Sequence, residues 1–434
     1  MENDVVEAKY SIKFRKDDAM ALGKDLYNRR CIVLIGMKRV GISNFLRFFL
    51  NNKDVVKAYI GGNERHLFIP VDLNDLVEKE VSPFWVLTLK RISDAVENIS
   101  LRKEIKKKIE SLFLDSIQSQ DLFLTIDSVR KVLVELVKNG FLPTLFFIRF
   151  DRMDDAVTPE FFSNLQGLRD ATTHKLSYVF TSYRGLDDIS PDVFKKASLS
   201  VFLKNLYIKP AREEDTGIVL KTYRERYKLS LSSETEKAIF DIVDGYIQYL
   251  QLALIHLHEK QSTFKGKEEL FVDLLRDERI ALQSEELWES LNVSEKDVLV
   301  KIEKDVEPTK AEKKSASYLW DTGLLKETNG KSHIFSPLFS SYIKQRQSAK
   351  ANANGIVELS KKENLLFNCL KSRKNEICER EEIVQAVWAE VEDLGVSDWA
   401  IDRLVARLRI KLKARKSNFE IQTVKTRGYK MVEN

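Results

Sequence analysis

The sequence predicts a multidomain α/β protein: a doubly wound parallel sheet, then a helical segment, then two units in which helices close on a short hairpin. Three observations carry this reading. Residues 31–35 (CIVLI) are a strand-sized apolar run that passes through a loop bounded by Gly36 and Gly41 into an amphipathic helix bearing Phe45, Leu46, Phe48, Phe49 and Leu50. Residues 144–151 (TLFFIRFD) form a second continuous apolar run ending in an acid, as a strand buried on both faces requires. Strand-like and helix-like segments alternate through residues 23–209, and from Pro210 onward helices continue alone.

Taken in order, residues 1–22 read as a polar lead-in with one short helix. After the loop helix, 66–73 (HLFIPVDL) is a second strand, followed by helices over 82–98, 101–114 and 125–138. Asn139-Gly140 and Pro143 turn the chain into 144–151; a helix at 159–169, a strand at 176–182 and a fifth strand at 201–208 complete the sheet. Residues 210–284 form a helical lid, with Leu250, Leu254 and Leu257 along one helix face. Residues 285–345 give helices, then a turn at Asn329-Gly330 inside a hairpin, the pattern of a winged helix. The stretch 346–355 lacks apolar periodicity and reads as a linker to a compact final domain, 356–434.

Composition narrows the function classes. No apolar run reaches bilayer-spanning length and the N-terminus has no apolar signal core, so a cytoplasmic protein without a membrane partner is expected. The three cysteines are scattered, as reduced thiols, and the five histidines lack metal-ligand spacing. Net charge is only +5, but between 403 and 430 ten Lys or Arg residues stand against the single acid Glu420, a local charge of +9. That is the electrostatic footprint of a polyanion partner.

Strand, glycine loop and helix make a phosphate cradle, because glycines let backbone N–H groups turn inward and the helix N-terminus adds partial positive charge. The spacing of Gly36 and Gly41 matches G-x-x-x-x-G-K-[ST], and Ser43 takes the hydroxyl position, but Ile42 stands where the lysine belongs. With the Phe146–Asp151 run, the strand ending Thr181-Ser182-Tyr183-Arg184, the lid and the winged helix, residues 23–345 resemble the STAND group of AAA-related P-loop ATPases. The resemblance implies ATP or ADP with magnesium at Gly36, Lys38, Arg39, Gly41, Ser43, Asn44, Asp151 and Arg184. Ser43 and Asp151 would share the metal, directly or through water. Arg184 either reads the γ-phosphate or lies on the surface. Lys38 and Arg39 are the candidates to replace the missing lysine charge, and Asp154 and Asp155 to replace the carboxylate absent at Arg152. Hydrolysis is expected to be weak or absent, since phosphoryl transfer depends on positioned charge.

At the other end, Ile401, Leu404, Val405, Leu408 and Leu412 recur at helical spacing and predict a core face. Trp399, Arg403, Arg407 and Lys411 are then spaced by four along an expected solvent stripe suited to a major groove. The run S-D-W-A-I-D (397–402), R-L-R-I-K-L (407–412) and the hairpin T-V-K-T-R-G-Y-K (423–430) resemble the OmpR/PhoB-type winged-helix DNA-binding domain across 356–434. This implies double-stranded DNA contacts from Trp399, Arg403, Arg407, Arg409 and Lys411 on the helix and Arg427, Tyr429 and Lys430 on the wing. Ser360 and Glu363 predict a capping box at the start of that domain. The combined expectation is a nucleotide-controlled, sequence-specific DNA-binding transcription regulator. Two other readings stay open: an active ATPase of defence or remodelling that uses DNA to localise, and an assembly protein that forms homo-oligomers through the P-loop fold.

Overall fold

A computed structural model describes residues 5–433 except 63, 196, 261–263, 265, 352–358, 360, 389–397, 416, 425 and 426. The chain divides into two compact units, Met1–Lys344 and Gln345–Asn434.

The first unit is built on five parallel strands ordered β2-β3-β4-β1-β5. A helix α1 (Lys16–Tyr27) precedes β1 (Ile32–Ile35); α2 (Ile42–Asn51) and β2 (Arg65–Asp72) follow. Next come α3 (Val81–Glu97), α4 (Lys103–Ser119), α5 (Leu122–Lys138), β3 (Phe141–Ile148), α6 (Pro159–Ala171), β4 (Ser177–Ser182), α7 (Leu186–Ile189) and β5 (Asn205–Tyr207). β1 and β4 are buried at every position, because both are interior strands covered on two faces. β2 is the edge, which lets it carry exposed Pro70 without breaking a ladder. Behind the sheet an aromatic core joins Phe147, Phe150, Phe161, Phe162, Tyr178, Phe180 and Phe202, with ring centroids such as Phe150–Phe180 at 4.8 Å and Phe162–Phe202 at 5.1 Å.

Three expectations need correction. The first 22 residues are no polar lead-in: Tyr10, Phe14, Ala19 and Leu22 are core, and α1 runs on to Tyr27 because Leu22 and Leu26 bury the same stripe. β3 ends at Ile148, since Arg149 turns left-handed (φ 61) and donates its backbone N–H to Thr181 Oγ1 at 2.7 Å. Asp151 therefore sits in a 3-10 turn, Phe150–Ala156, and not on a strand end. The fifth strand shrinks to three residues because 197–202 coil as 3-10 turns.

Lid helices α8 (Glu213–Tyr227), α9 (Ser233–Val243), α10 (Ile247–Lys260), α11 (Lys267–Leu275) and α12 (Glu278–Glu289) follow. The next element group is α13 (Val293–Glu303), α14 (Lys310–Ser315), α15 (Tyr318–Asp321), the hairpin β6 (Leu325–Thr328) and β7 (Lys331–Ile334), and α16 (Pro337–Ala351). Asn292 and Glu295 close a capping box on α13, and Thr309 and Glu312 one on α14. The hairpin packs on the lid: Phe335 and Phe339 are buried, Ser336 Oγ donates to the Ile242 carbonyl at 2.8 Å, and Lys326 pairs with Asp244 at 2.5 Å. Residues 346–351 of the expected linker are helical, as the end of α16; 352–355 fall outside the described residues.

The second unit is α17 (Lys361–Ser372), β8 (Ile377–Glu379), α18 (Arg380–Trp388), α19 (Asp398–Ala414), β9 (Phe419–Val424) and β10 (Gly428–Glu433), with an antiparallel sheet ordered β8-β10-β9. The five apolar residues expected to face inward from α19 are all 4% exposed or less.

Candidate functional site

β1 delivers Gly36 to the start of the loop, and α2 begins at Ile42. Gly41 (φ 109) and Arg39 (φ 60) take the left-handed backbone that turns the loop on itself. A Cβ at Gly36 would lie 2.8 Å from Val40 Cγ1 and 2.9 Å from the Ile208 carbonyl oxygen, so only glycine fits. Ile42 Cδ1 lies 3.2 Å from the same point; an apolar side chain leans over the loop where the phosphate lysine would reach out.

The lid closes directly on this loop. Tyr246 Oη donates to the Lys38 carbonyl at 2.6 Å and accepts from Gln283 Nε2 at 2.9 Å. Ile247 Cγ1 comes within 2.9 Å of where a Gly41 Cβ would stand. Arg39 Nε donates to Glu286 Oε2 at 3.0 Å. Burial holds the Tyr246 phenol far above its ordinary pKa, so it stays a donor. From the opposite side Arg15, itself left-handed (φ 47) and buried, reaches the Lys209 carbonyl at 3.1 Å and the Val40 carbonyl at 3.5 Å, while its own N–H donates to Asp215 Oδ1 at 2.7 Å.

The other expected nucleotide residues are dispersed among structural partners. Arg184 makes two parallel bonds to Glu295 at 2.6 and 2.7 Å, a third to the Ser290 carbonyl at 2.7 Å, and lies 3.8 Å above the Tyr318 ring. The surface reading does not hold, since the side chain is largely buried; in this arrangement Arg184 clamps α13 to the end of β4. Asn44 Nδ2 donates to Glu7 at 3.2 Å. Ser43 is half-buried on the first turn of α2. Burial pushes the Asp151 carboxyl above the usual carboxylate range, with a backbone hydrogen bond, Lys38 and Arg149 pulling the other way. Lys38 Nζ rests 4.9 Å over the Tyr183 ring. Among the described residues no three His, Cys, Asp or Glu side chains gather as a metal set. A cleft of about 1110 Å³ lined by Arg15, Lys209, Arg212, Asp215, Asp244 and Lys326 does not include any residue of the loop. The residues present thus keep the shape of a phosphate cradle but do not fit a magnesium nucleotide in this closed arrangement. Arg15, Gln283 and Glu286 escaped the sequence reading, since nothing in their local context marks a contact so distant in sequence. Glu295 had a signal in its capping box.

In the second unit the core helix α19 lies against α17, and the hairpin β9–β10 carries Arg427 on its turn. Residues 354–431 match the family model for "Transcriptional regulatory protein, C terminal". Over 87 residues the chain is 34% identical to the sensory transduction protein BceR of Bacillus subtilis, covering 20% of this chain and 37% of that protein. The C-terminal unit carries an OmpR/PhoB-type DNA-binding domain. The first unit has the fold of the Walker-type ATPase PABY2304 of Pyrococcus abyssi, at TM-score 0.50 and 16% identity over 76% of this chain and 95% of that one. The Aeropyrum pernix ORC2 protein aligns at TM-score 0.46 and 12% identity, covering 81% of this chain and 98% of its own.

Within the OmpR/PhoB-type domain, the expected solvent stripe is corrected. Lys411 Nζ bonds Glu363 Oε2 at 2.6 Å and Arg407 Nε lies 3.9 Å from Glu363 Oε1, with that carboxylate only 2% exposed. The reason is angular: at 100° per residue, 407 and 411 flank the seam of Leu404 and Leu408 and so face α17. Glu363 serves these cations from the first turn of α17; Ser360, its expected capping partner, lies outside the described residues. Arg403 is half-buried, and the exposed face of α19 passes through Asp402, Ile410 and Lys413. Arg409 donates to the Ile421 carbonyl at 2.8 Å and Thr423 Oγ1 at 2.9 Å, fastening the helix to the hairpin. Tyr429 Oη donates to Asp402, which Arg380 also meets at 2.7 Å. Arg427 pairs with exposed Glu379 at 3.1 Å, and Lys430 is half-buried opposite Gln422. Trp399 belongs to α19, and its side chain lies outside the described residues.

Proposed function

We infer that this protein is a sequence-specific DNA-binding transcription regulator in which the α/β unit, with its lid, acts as the switch. The observation that carries the reading is the OmpR/PhoB-type domain with its cations grouped on α19 and the wing turn. Surface ion pairs of the Arg427–Glu379 kind contribute little to stability, so such a guanidinium is cheaply transferred to a DNA phosphate. The experiment is duplex binding by the full chain across a salt series. A steep salt slope with preference for particular sequences supports the reading; binding indifferent to salt sinks it.

The finer expectation, control by nucleotide with weak or absent hydrolysis, rests on the shape of the loop. Ile42 supplies no charge, and Tyr246, Ile247 and Glu286 occupy the approach. Labelled ATP and ADP should therefore bind weakly to the native chain and more tightly once Tyr246→Phe and Glu286→Gln loosen the lid. If neither chain binds nucleotide, the same lid is governed by another ligand or a protein partner. The alternative, an active ATPase that localises on DNA, is favoured by no contact at the loop.

A further inference from the structure

The two cysteines of the DNA-binding unit, 9 residues apart in sequence, meet in space: Cys369 Sγ and Cys378 Sγ are 3.2 Å apart, closer than the sum of two sulfur radii. They are unlike each other in access. Cys369 stands near the end of α17 and is partly exposed, whereas Cys378 sits in the middle of β8 at 0% exposure. The turn between them is held: the Asn375 N–H donates to the Met431 carbonyl at 2.9 Å, the Glu376 N–H to the Arg373 carbonyl at 2.9 Å, and Arg373 pairs with Glu382. The sulfur contact with Cys378, reinforced by Arg373, draws the Cys369 thiol below the ordinary cysteine value and so favours its thiolate. Donation to that thiolate, with burial, pushes Cys378 the other way. An accessible thiolate backed by a buried thiol already in contact is the arrangement of an attacking and a resolving cysteine.

We propose that Cys369 and Cys378 are a peroxide-responsive pair that forms an intramolecular disulfide. The Cys369 thiolate attacks one oxygen of hydrogen peroxide, the O–O bond breaks, and hydroxide leaves and takes a proton, giving a sulfenic acid and water. The Cys378 sulfur, giving up its proton, then attacks Cys369 sulfur; the S–O bond breaks and a second water leaves. Two thiols and one peroxide become one disulfide and two waters, the two electrons passing from sulfur to the peroxide oxygens.

The bond draws the sulfurs from 3.2 Å to a covalent length of about 2.05 Å and ties α17 to β8 covalently, so that side-chain rotation and the packing of these two elements must take up the closure. Both elements carry carboxylates that anchor cations of this unit. α17 holds Glu363, the partner of Lys411, and β8 holds Glu379, the partner of Arg427. β8 also has no slack toward the wing, since a Cβ on Gly428 would fall 2.1 Å from the Cys378 carbonyl oxygen. Disulfide formation therefore weakens duplex binding, a consequence that rests on the proposed DNA-binding function while the chemistry of the pair does not.

The test uses the full chain treated with stoichiometric hydrogen peroxide. Two of the 3 thiols should disappear with loss of two hydrogens in mass, a peptide link between 369 and 378, and recovery on adding dithiothreitol, while buried Cys31, whose thiol burial pushes up to about 11, stays reduced. Cys378→Ser should stop at a sulfenic acid that a cyclic dione traps, and Cys369→Ser should keep both remaining thiols. Equal thiol loss in either single variant, disulfide-linked dimers, or no reaction in the native chain would overturn the pair. Oxidation should lower duplex affinity by about threefold or more, reversibly, and not in Cys378→Ser. A disulfide that forms without that loss refutes the coupling to DNA alone, and a native reduced chain that binds no duplex refutes the regulator reading instead.

Discussion

Single side chains in this protein show how a charge is assigned by its partner. Arg184 and Glu295 are both largely withdrawn from water, at 13% and 2% side-chain exposure, and pair with each other, while Arg184 also donates to the Ser290 carbonyl and Glu295 accepts from the Asn292 N–H. Glu295→Gln should cost about 3 kcal/mol in urea unfolding of the first unit, because a buried guanidinium is left without its counter-charge. Two arginines, one on the wing turn and one on α19, separate the same way. Arg427→Ala should lower the salt slope of duplex binding by about 1 and leave the melting temperature almost unchanged, as it pairs at the surface with the exposed Glu379. Arg409→Ala should instead lower the melting temperature of the second unit, about 1–2 kcal/mol for two bonds to the hairpin.

At the level of elements, the lid is pinned through a histidine. His256 on α10 is buried between Asp277, at 2.7 Å from Nδ1, and Asp273 on α11, at 2.6 Å from Nε2. Lys260, Arg279 and Glu259 complete the cluster, with Arg279 bridging Asp277 and Glu259. The hydrogen bond to Asp277, opposed by burial and helped by Asp273, raises the pKa of His256. Its contribution is then full below the unfolded value of about 6.5 and is lost as pH rises through the higher folded value. Both aspartates are held below the usual carboxylate range: burial opposes this, but bonds from His256 and Arg279 to Asp277, and from Lys260 and His256 to Asp273, outweigh it. Their contribution is present above about 3.9 and is lost as pH falls through their folded values. The urea midpoint of the first unit should thus fall as pH rises above about 6.5, and His256→Gln should flatten that decline. Gly245 fixes the start of α10 by a different constraint. At φ +77 its missing Cβ would stand 1.9 Å from the Ala211 carbonyl oxygen, so any side chain there would lift Tyr246 and Ile247 from the loop.

For the whole molecule, two cores without a shared buried cluster predict two independent folding units. Residues 345–434 expressed alone should melt cooperatively and bind duplex DNA with a steep salt dependence, while residues 1–344 should not bind it. A fragment 345–434 that is unfolded by circular dichroism would show that its buried apolar cluster is insufficient alone.

Much of this was legible in the order of residues. Apolar runs gave β1, β3 and β4 their place, since a strand buried on both faces is mostly apolar, and the 3.6-residue recurrence from Ile401 to Leu412 marked the core seam of α19. The glycine loop, the lost lysine at Ile42 and the basic C-terminal domain are likewise written locally. What only the tertiary structure decided is where each charge is spent. Arg184 meets an acid 111 residues away, Arg39 one 247 away and Lys411 one 48 away, and Cys369 finds Cys378 across a helix–strand contact. Periodicity reports which way a side chain leaves its own helix; its partner is set by how elements pack, a property of the folded chain that no window of sequence contains.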